Sequence, residues 1–83
     1  MTDRPHHYLD ITGDVCPITF VKTKLLIEKA NPGDLIEIRL AEGETLENLP
    51  RSVREEGHAV SDPVFEGRDG AGRSLYRLRI RKA

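Results

Sequence analysis

A single thiol occurs in these 83 residues, Cys16, and Pro17 follows it directly. Only the thiolate of a cysteine is a nucleophile, and free cysteine is mostly protonated at neutral pH, so any chemistry here depends on what stabilises the anion. Pro17 suits the first position of a helix, where its fixed φ helps and its missing N–H costs nothing, and this places Cys16 at the N-cap. The unpaired N–H groups of a helix start favour a negative charge, so a sulfur at that position is expected to be more acidic than usual. Gly13 is expected to allow a tight approach to the helix end. The competing reading makes Cys16 a small buried filler at a strand-to-helix turn. These residues alone leave the two readings balanced. With no second cysteine there is no internal disulfide, no Cys-rich zinc site and no internal resolving thiol, so sulfur carried on Cys16 has to leave to another molecule. A docking surface is therefore expected around the helix start, with Asp10, Asp14, Ile18 and Lys22 nearby. Asp10 and Asp14 would oppose thiolate formation if close to Cys16, and Asp10 is read as a cap for loop N–H groups.

The remaining chemistry-bearing groups point to structure. His6 and His7 are adjacent, so their side chains diverge, and no carboxylate or thiol stands at ligand spacing; no metal is expected. His58 follows Gly57 at a helix end, where an imidazole suits the dipole. Arg77, Arg79 and Arg81 share one side of a strand, with Arg39 across and Lys82 beyond, and form the one patch able to meet RNA phosphates. Glu37 dilutes that patch and no stacking aromatics accompany it, so a solvated sheet face is the favoured reading. Residues 67–72 are glycine-rich but lack the Lys and Ser/Thr of a phosphate loop and precede a strand, which makes them a hairpin turn.

These residues need elements to hold them. Residues 8–12 alternate as a half-buried strand, with Leu9 and Ile11 on one side and Asp10 on the other. From Pro17 to Ala30 the spacing of Ile18, Val21 and Leu25, with Leu26 on the flank, predicts a helix burying that stripe. Residues 34–40 alternate with Ile36, Ile38 and Leu40 inward. Leu46, Leu49 and Val53 mark a second helix closed by Gly57, its main part started by Pro50. Residues 59–66, around Pro63, read as an edge or bulged strand. Residues 74–81 read as a last strand with Tyr76, Leu78 and Ile80 inward, and Leu75 outward with the arginines. The order βαβαββ implies an α+β two-layer sandwich: a four-stranded mixed sheet with two helices on one face. Hydrophobic residues at 37%, charged residues at 33% and a net charge of −1 fit one folded soluble domain over 1–83, with residues 1–6 as a flexible tail, and argue against a generally basic nucleic-acid binder. No apolar run approaches the ~20 residues of a membrane span, and the start lacks a secretory signal's apolar core; a cytoplasmic monomer is expected.

Leu9, Asp10, Gly13, Cys16 and Pro17 reproduce an L-D-x-x-G-x-x-C-P opening. The chain thereby resembles the TusA/SirA-like sulfur carrier family, and Pro32, Gly33, Asp34, Pro50, the length and the element order agree with it. The resemblance implies that Cys16 accepts sulfane sulfur as a persulfide from a donor protein, such as a cysteine desulfurase or a rhodanese, and passes it to an acceptor protein. It implies a sulfurtransferase-type carrier without a cofactor, serving tRNA thiolation, molybdenum-cofactor assembly or another sulfur-trafficking route. The family continues C-P-x-P, whereas here Thr19 replaces the second proline. Its hydroxyl either offers the sulfur a weak hydrogen bond or satisfies its own backbone, the latter being favoured. Two other readings are a regulatory or RNA-contacting module using the arginine face, with Cys16 inert, and a thiol sensor forming a mixed disulfide.

Overall fold

Ile36, Ile38 and Leu40 alternate with Glu37 and Arg39, and the strand they build is the axis of the molecule. The computed structural model describes residues 5–15 and 17–83. Its elements are β1 (His7–Asp10), α1 (Ile18–Lys29), β2 (Leu35–Ala41), α2 (Glu44–Glu55), β3 (Ala59–Val60), β4 (Val64–Arg68) and β5 (Ser74–Arg81). On one side β2 pairs with β1 in parallel, Leu9 opposite Ile38, through the α1 crossover. On the other it pairs antiparallel with β5, Ile38 opposite Leu78.

The sheet has five strands where four were expected. Residues 59–66 do not form one strand, because Pro63 has no N–H to donate to the ladder. The two halves, β3 and β4, pair with the same edge of β5, Val60 opposite Ile80 and Val64 opposite Arg77. Ser61 bridges the gap: its N–H donates to the Arg79 carbonyl at 2.9 Å, and its Oγ accepts from the Arg79 N–H at 3.0 Å. The register then slips between Phe65 and Gly67.

Both helices cover one face. Ile36, Ile38, Leu40, Leu78 and Ile80 are sealed beneath Ile27 and Ala30 of the first helical segment and Leu49 and Val53 of α2. The orientation of α1 departs from expectation. Thr19, Thr23 and Ile27 are its buried residues, while Ile18, Val21 and Leu25 are exposed at 48%, 54% and 52%. Phe20, Thr23 and Ile27 share the i, i+3, i+7 spacing of Ile18, Val21 and Leu25, so periodicity alone admitted either stripe. Burying the threonines costs little because both hydroxyls are bonded. Thr23 donates to the Thr19 carbonyl at 2.8 Å, and the Thr19 and Thr45 hydroxyls lie 3.3 Å apart.

Three further differences are local. Pro50 lies inside α2 instead of opening its main part; the helix already starts at Glu44, and Pro50 is buried with Leu49 and Val53. Leu75 is buried at 7% instead of facing water, at the sheet end where it stands opposite Ala41 and, past the bulge, Gly67. His7 belongs to β1, and its Nε2 lies 3.1 Å from Asp34 Oδ2. His6 is pinned as well: its N–H donates to the Leu35 carbonyl at 2.7 Å, and its Nδ1 accepts from the Leu35 N–H at 2.9 Å. His58 Nδ1 accepts from the Ala83 N–H at 3.1 Å, which anchors the last residue of the chain. In the hairpin 67–73, Asp69 Oδ1 accepts the N–H groups of both Ala71 and Arg73 at 2.9 Å. Among the described residues no helix is long and apolar enough to cross a membrane, and no cluster of three or more metal-ligating side chains forms.

Candidate functional site

The loop between β1 and α1 leaves the carboxyl end of β1, the end at which open α/β sheets hold their ligands. It is anchored by Ile11, 2% exposed, whose N–H donates to the Arg39 carbonyl at 2.9 Å. Asp10 closes the first turn: Thr12 donates its N–H at 2.9 Å and its hydroxyl at 2.6 Å to Asp10 Oδ1. Those bonds, the hydroxyl first and then the N–H, hold the Asp10 carboxyl below its ordinary value of 3.8, with Arg39 adding to the effect and partial burial opposing it. The capping role expected of Asp10 is the role seen.

This arrangement fixes a pH dependence. Because the folded chain holds Asp10 at a lower pKa than the unfolded chain, its contribution is present above about pH 4 and is lost as pH falls through the folded value. Asp10→Asn should therefore flatten the acid side of a urea-unfolding series taken from pH 6 to pH 2.5. The difference should stay below about 1 kcal/mol, since the group is exposed. An unchanged acid limb would remove the turn from the loop's stability.

Further along, Asp14 donates its N–H to the Ile11 carbonyl at 3.1 Å, and its carboxylate pairs with Lys22 Nζ at 2.9 Å. That ion pair offsets the charge Asp14 would otherwise present to its neighbours. Cys16, the central candidate, lies outside the described residues. Around it, Val15 is 71% exposed. α1 starts at Ile18 with Pro17 in the cap position (φ −93°, ψ 3°), one residue later than expected, and no side chain caps it. The Thr19 N–H reaches the Val15 carbonyl at 3.3 Å, and the N–H groups of Phe20 and Val21 both go to the Pro17 carbonyl, at 3.1 and 3.2 Å. The i to i−3 bond of Phe20 marks a tight first turn, and these three amides are satisfied by backbone.

Gly13 is exposed, its φ lies outside the left-handed region, and a Cβ there would have nothing within 4 Å. The tight approach expected of it does not occur among the described residues. Thr19, at 1% exposure, turns its hydroxyl towards Thr45 at the start of α2.

Chain order alone did not reveal what lies beside this loop. The β2–α2 loop leaves the carboxyl end of β2 next to it, and the 67–73 hairpin arrives from the other side. Between them opens a cavity of about 320 Å³ whose polar lining is chiefly Thr12, Asp14, Glu42, Glu44, Thr45 and Arg73. Arg73 is engaged by Asp69 at 2.8 Å and Asp14 by Lys22 at 2.9 Å, while Glu42 Oε1 accepts the Ser74 N–H. Parallel pairing of β1 with β2 was the available signal, since it places the two following loops side by side. Gly43, between Glu42 and Glu44, takes φ 128°, which only glycine adopts without strain.

The arginine face does not join this site. Arg77 pairs with Glu66 and lies 3.5 Å from Glu37, Arg79 lies 3.4 Å from Glu37, and Arg39 lies 3.7 Å from Glu66. Arg81 donates to the Gly33 carbonyl at 2.8 Å. The sequence had singled out Glu37 but not Glu66, which reaches this face from the bulge in β4.

One family match and three individual relatives bear on what such a loop is for. The chain matches the sulfurtransferase TusA family over residues 7–82. It is 42% identical over 52 residues to a "putative sulfur carrier protein" of Archaeoglobus fulgidus, covering 63% of this chain and 59% of that one. It is 38% identical over 52 residues to one of the same name from Methanocaldococcus jannaschii, covering 63% and 69%. Against "putative sulfur carrier protein TsuB" of Escherichia coli it is 32% identical over 54 residues, 65% and 72%. The alignment thus spans about six to seven tenths of these relatives. No solved structure matches the chain.

Proposed function

This chain belongs to the sulfurtransferase TusA family, and from that membership we propose that it is a sulfur carrier in which Cys16 holds sulfane sulfur as a persulfide between a donor and an acceptor protein. The observation that supports the reading is that the family match runs across the chain's sole thiol, followed in sequence by Pro17, which stands in the cap position of α1. The transfer is a thiol–persulfide exchange. The Cys16 thiolate attacks the outer sulfur of a donor persulfide, R–S–SH; a new S–S bond forms as the old one breaks, the proton stays on the transferred sulfur, and the donor leaves as R–S⁻. One sulfur moves and no external oxidant or reductant is consumed. Discharge repeats the step with an acceptor thiolate, because the chain has no second thiol of its own.

The surrounding residues have supporting roles in this reading. Asp10 fixes the turn that leads into the loop, Lys22 neutralises Asp14, and Thr19 ties the start of α1 to α2 through Thr45. Pro17 presets the helix start. Gly13 keeps the loop free of side-chain bulk. The carrier works in the cytoplasm without a bound cofactor, and thiolation of tRNA or assembly of a sulfur-containing cofactor would draw on it.

The test is direct. Incubation with a cysteine desulfurase plus cysteine, or with a rhodanese plus thiosulfate, should add the mass of one sulfur to the intact chain. Reductant should remove it, and Cys16→Ser should never acquire it. A wild-type chain that stays unmodified with both donors would overturn the proposal.

A further inference from the structure

Strand ladders join backbone N–H to backbone C=O, yet the first rung between the β1 end of the chain and β2 is made half by an imidazole. The His6 N–H donates to the Leu35 carbonyl at 2.7 Å, as a ladder requires, but the Leu35 N–H goes to His6 Nδ1 at 2.9 Å in place of a backbone oxygen. A ring nitrogen accepts only while it carries no proton, so this contact requires the neutral imidazole with its hydrogen on Nε2. Imidazolium carries a hydrogen on each nitrogen and would set one of them against the Leu35 N–H. Imidazole is also the side chain that changes charge between about pH 5 and 8. The rung therefore has a titratable acceptor where a carbonyl would be a permanent one.

The charges around His6 come from three elements. At the start of β2, Asp34 Oδ2 accepts the Asn31 N–H at 2.9 Å and lies 3.1 Å from His7 Nε2, the next residue of β1. The Asn31 N–H first, and then His7, hold the Asp34 carboxyl below its ordinary value of 3.8, with desolvation opposing and the nearby His6 assisting, so Asp34 stays ionised while imidazoles titrate. From β5, Arg81 stands opposite Leu35 and donates to the Gly33 carbonyl, and Lys82 Nζ donates to the Ala30 carbonyl. Asp34 favours a charged His6, and Arg81 and Lys82 oppose it. β1 is a terminal strand of the sheet, so only β2 holds it. Its carboxyl end is fixed separately by Ile11, whose N–H donates to the Arg39 carbonyl.

We propose that the His6–Leu35 rung is a pH-sensitive clasp at the edge of the sheet, closed while His6 is neutral and opened by its protonation, which leaves the Leu35 N–H unpaired and the start of β1 held by one bond instead of two. The clasp is present above the imidazole range and is lost as pH falls through it. It stands at the end of β1 away from the loop that leads to Cys16, and it does not depend on the sulfur chemistry. Protonation of His7 has the opposite sign, because it strengthens the contact with Asp34. Global unfolding would blend the two, whereas the Leu35 amide reports the clasp alone.

The test follows the isotope-labelled chain by NMR from about pH 7.5 to about pH 5. At the upper pH the His6 ring should carry its hydrogen on Nε2. As pH falls, the Leu35 amide resonance should move with the midpoint of the His6 ring and not with those of His7 or His58. Its exchange protection should drop about three- to tenfold relative to that of Ile38, a sealed residue of the same strand. His6→Asn offers Oδ1, an acceptor the same number of bonds from the backbone that does not titrate, and should keep the protection constant over the range. His6→Ala should lack it at every pH. A wild-type Leu35 amide that stays fixed and equally protected overturns the clasp. So does a change that follows the His7 ring, that persists in His6→Asn, or that starts from protection His6→Ala still retains. If His6→Ala does not fold, the wild-type titration and His6→Asn decide.

Discussion

Ile38→Ala is expected to lower the unfolding free energy by about 3–4 kcal/mol, near the middle of the range for truncating a sealed aliphatic side chain. Ile38 is 0% exposed at the centre of β2, with Leu9 on one side and Leu78 on the other. The loss combines the transfer free energy of the deleted carbons with the cavity they leave. That cavity cannot collapse easily, because ladders on both sides fix the β2 backbone. A domain of this length has about 4–12 kcal/mol in total, so the variant would approach the unfolding threshold and its Tm should fall by roughly 12–30 °C. Val64→Ala, at an exposed edge position, should stay within about 0.5 kcal/mol of wild type. Urea unfolding of the pair measures both. A loss below 1 kcal/mol at Ile38 would mean that the sheet-and-helix core is not where the chain's stability lies.

The contrast between Ile38 and Ile18 explains how much of this fold could be read directly from the residues. In β2 the alternation of aliphatic with charged side chains admits one orientation, since the other would bury Glu37 and Arg39 without enough partners. In α1 there are two stripes of the same period. The one that packs inward contains two threonines, whose hydroxyls become tolerable in the core only when Thr45 and a carbonyl one turn back are supplied. Those partners are a matter of three-dimensional assembly. Pro63 predicted an irregular edge correctly, but its consequence, two short strands sharing the β5 edge, depended on Ser61 being able to bridge them. Pro50 misled because a proline well inside a helix normally costs about 3 kcal/mol, whereas here it is buried with the apolar face of α2. At the candidate site, Asp10 and its turn were legible because the Asp-x-Thr pattern is local. Glu42, Thr45 and Arg73 were not, since they are separated from Cys16 by 26 residues or more of chain; Glu42 and Thr45 meet its loop through the parallel β1–β2 pairing, and Arg73 through the antiparallel β2–β5 pairing.

The outer face of the sheet yields the second large effect, and it bears on the RNA-binding alternative. Arg39 stands directly opposite Arg77, and Arg77 and Arg79 lie two residues apart on the same side of β5. Like charges so placed repel. Glu37 and Glu66 resolve the conflict by reaching between them, and both carboxylates are substantially shielded, at 13% and 17% side-chain exposure. Three guanidiniums against two carboxylates leave a single net positive charge, dispersed over five side chains that already have partners. A phosphate would have to break those pairs to bind. Replacing Glu37 and Glu66 together with glutamine keeps their size but frees the arginines. The double variant should lose about 1–2 kcal/mol of stability through arginine repulsion. It should also gain two positive charges' worth of affinity for a single-stranded RNA, steepening the slope of log affinity against log salt by about 1.4. Wild type should bind the same RNA at least about tenfold more weakly at low salt, because each of its arginines is engaged. Filter binding over a salt series, beside urea unfolding, measures both effects. If wild type already binds as tightly as the variant, the carboxylates do not neutralise the face and the RNA-contacting reading gains the ground that these ion pairs deny it.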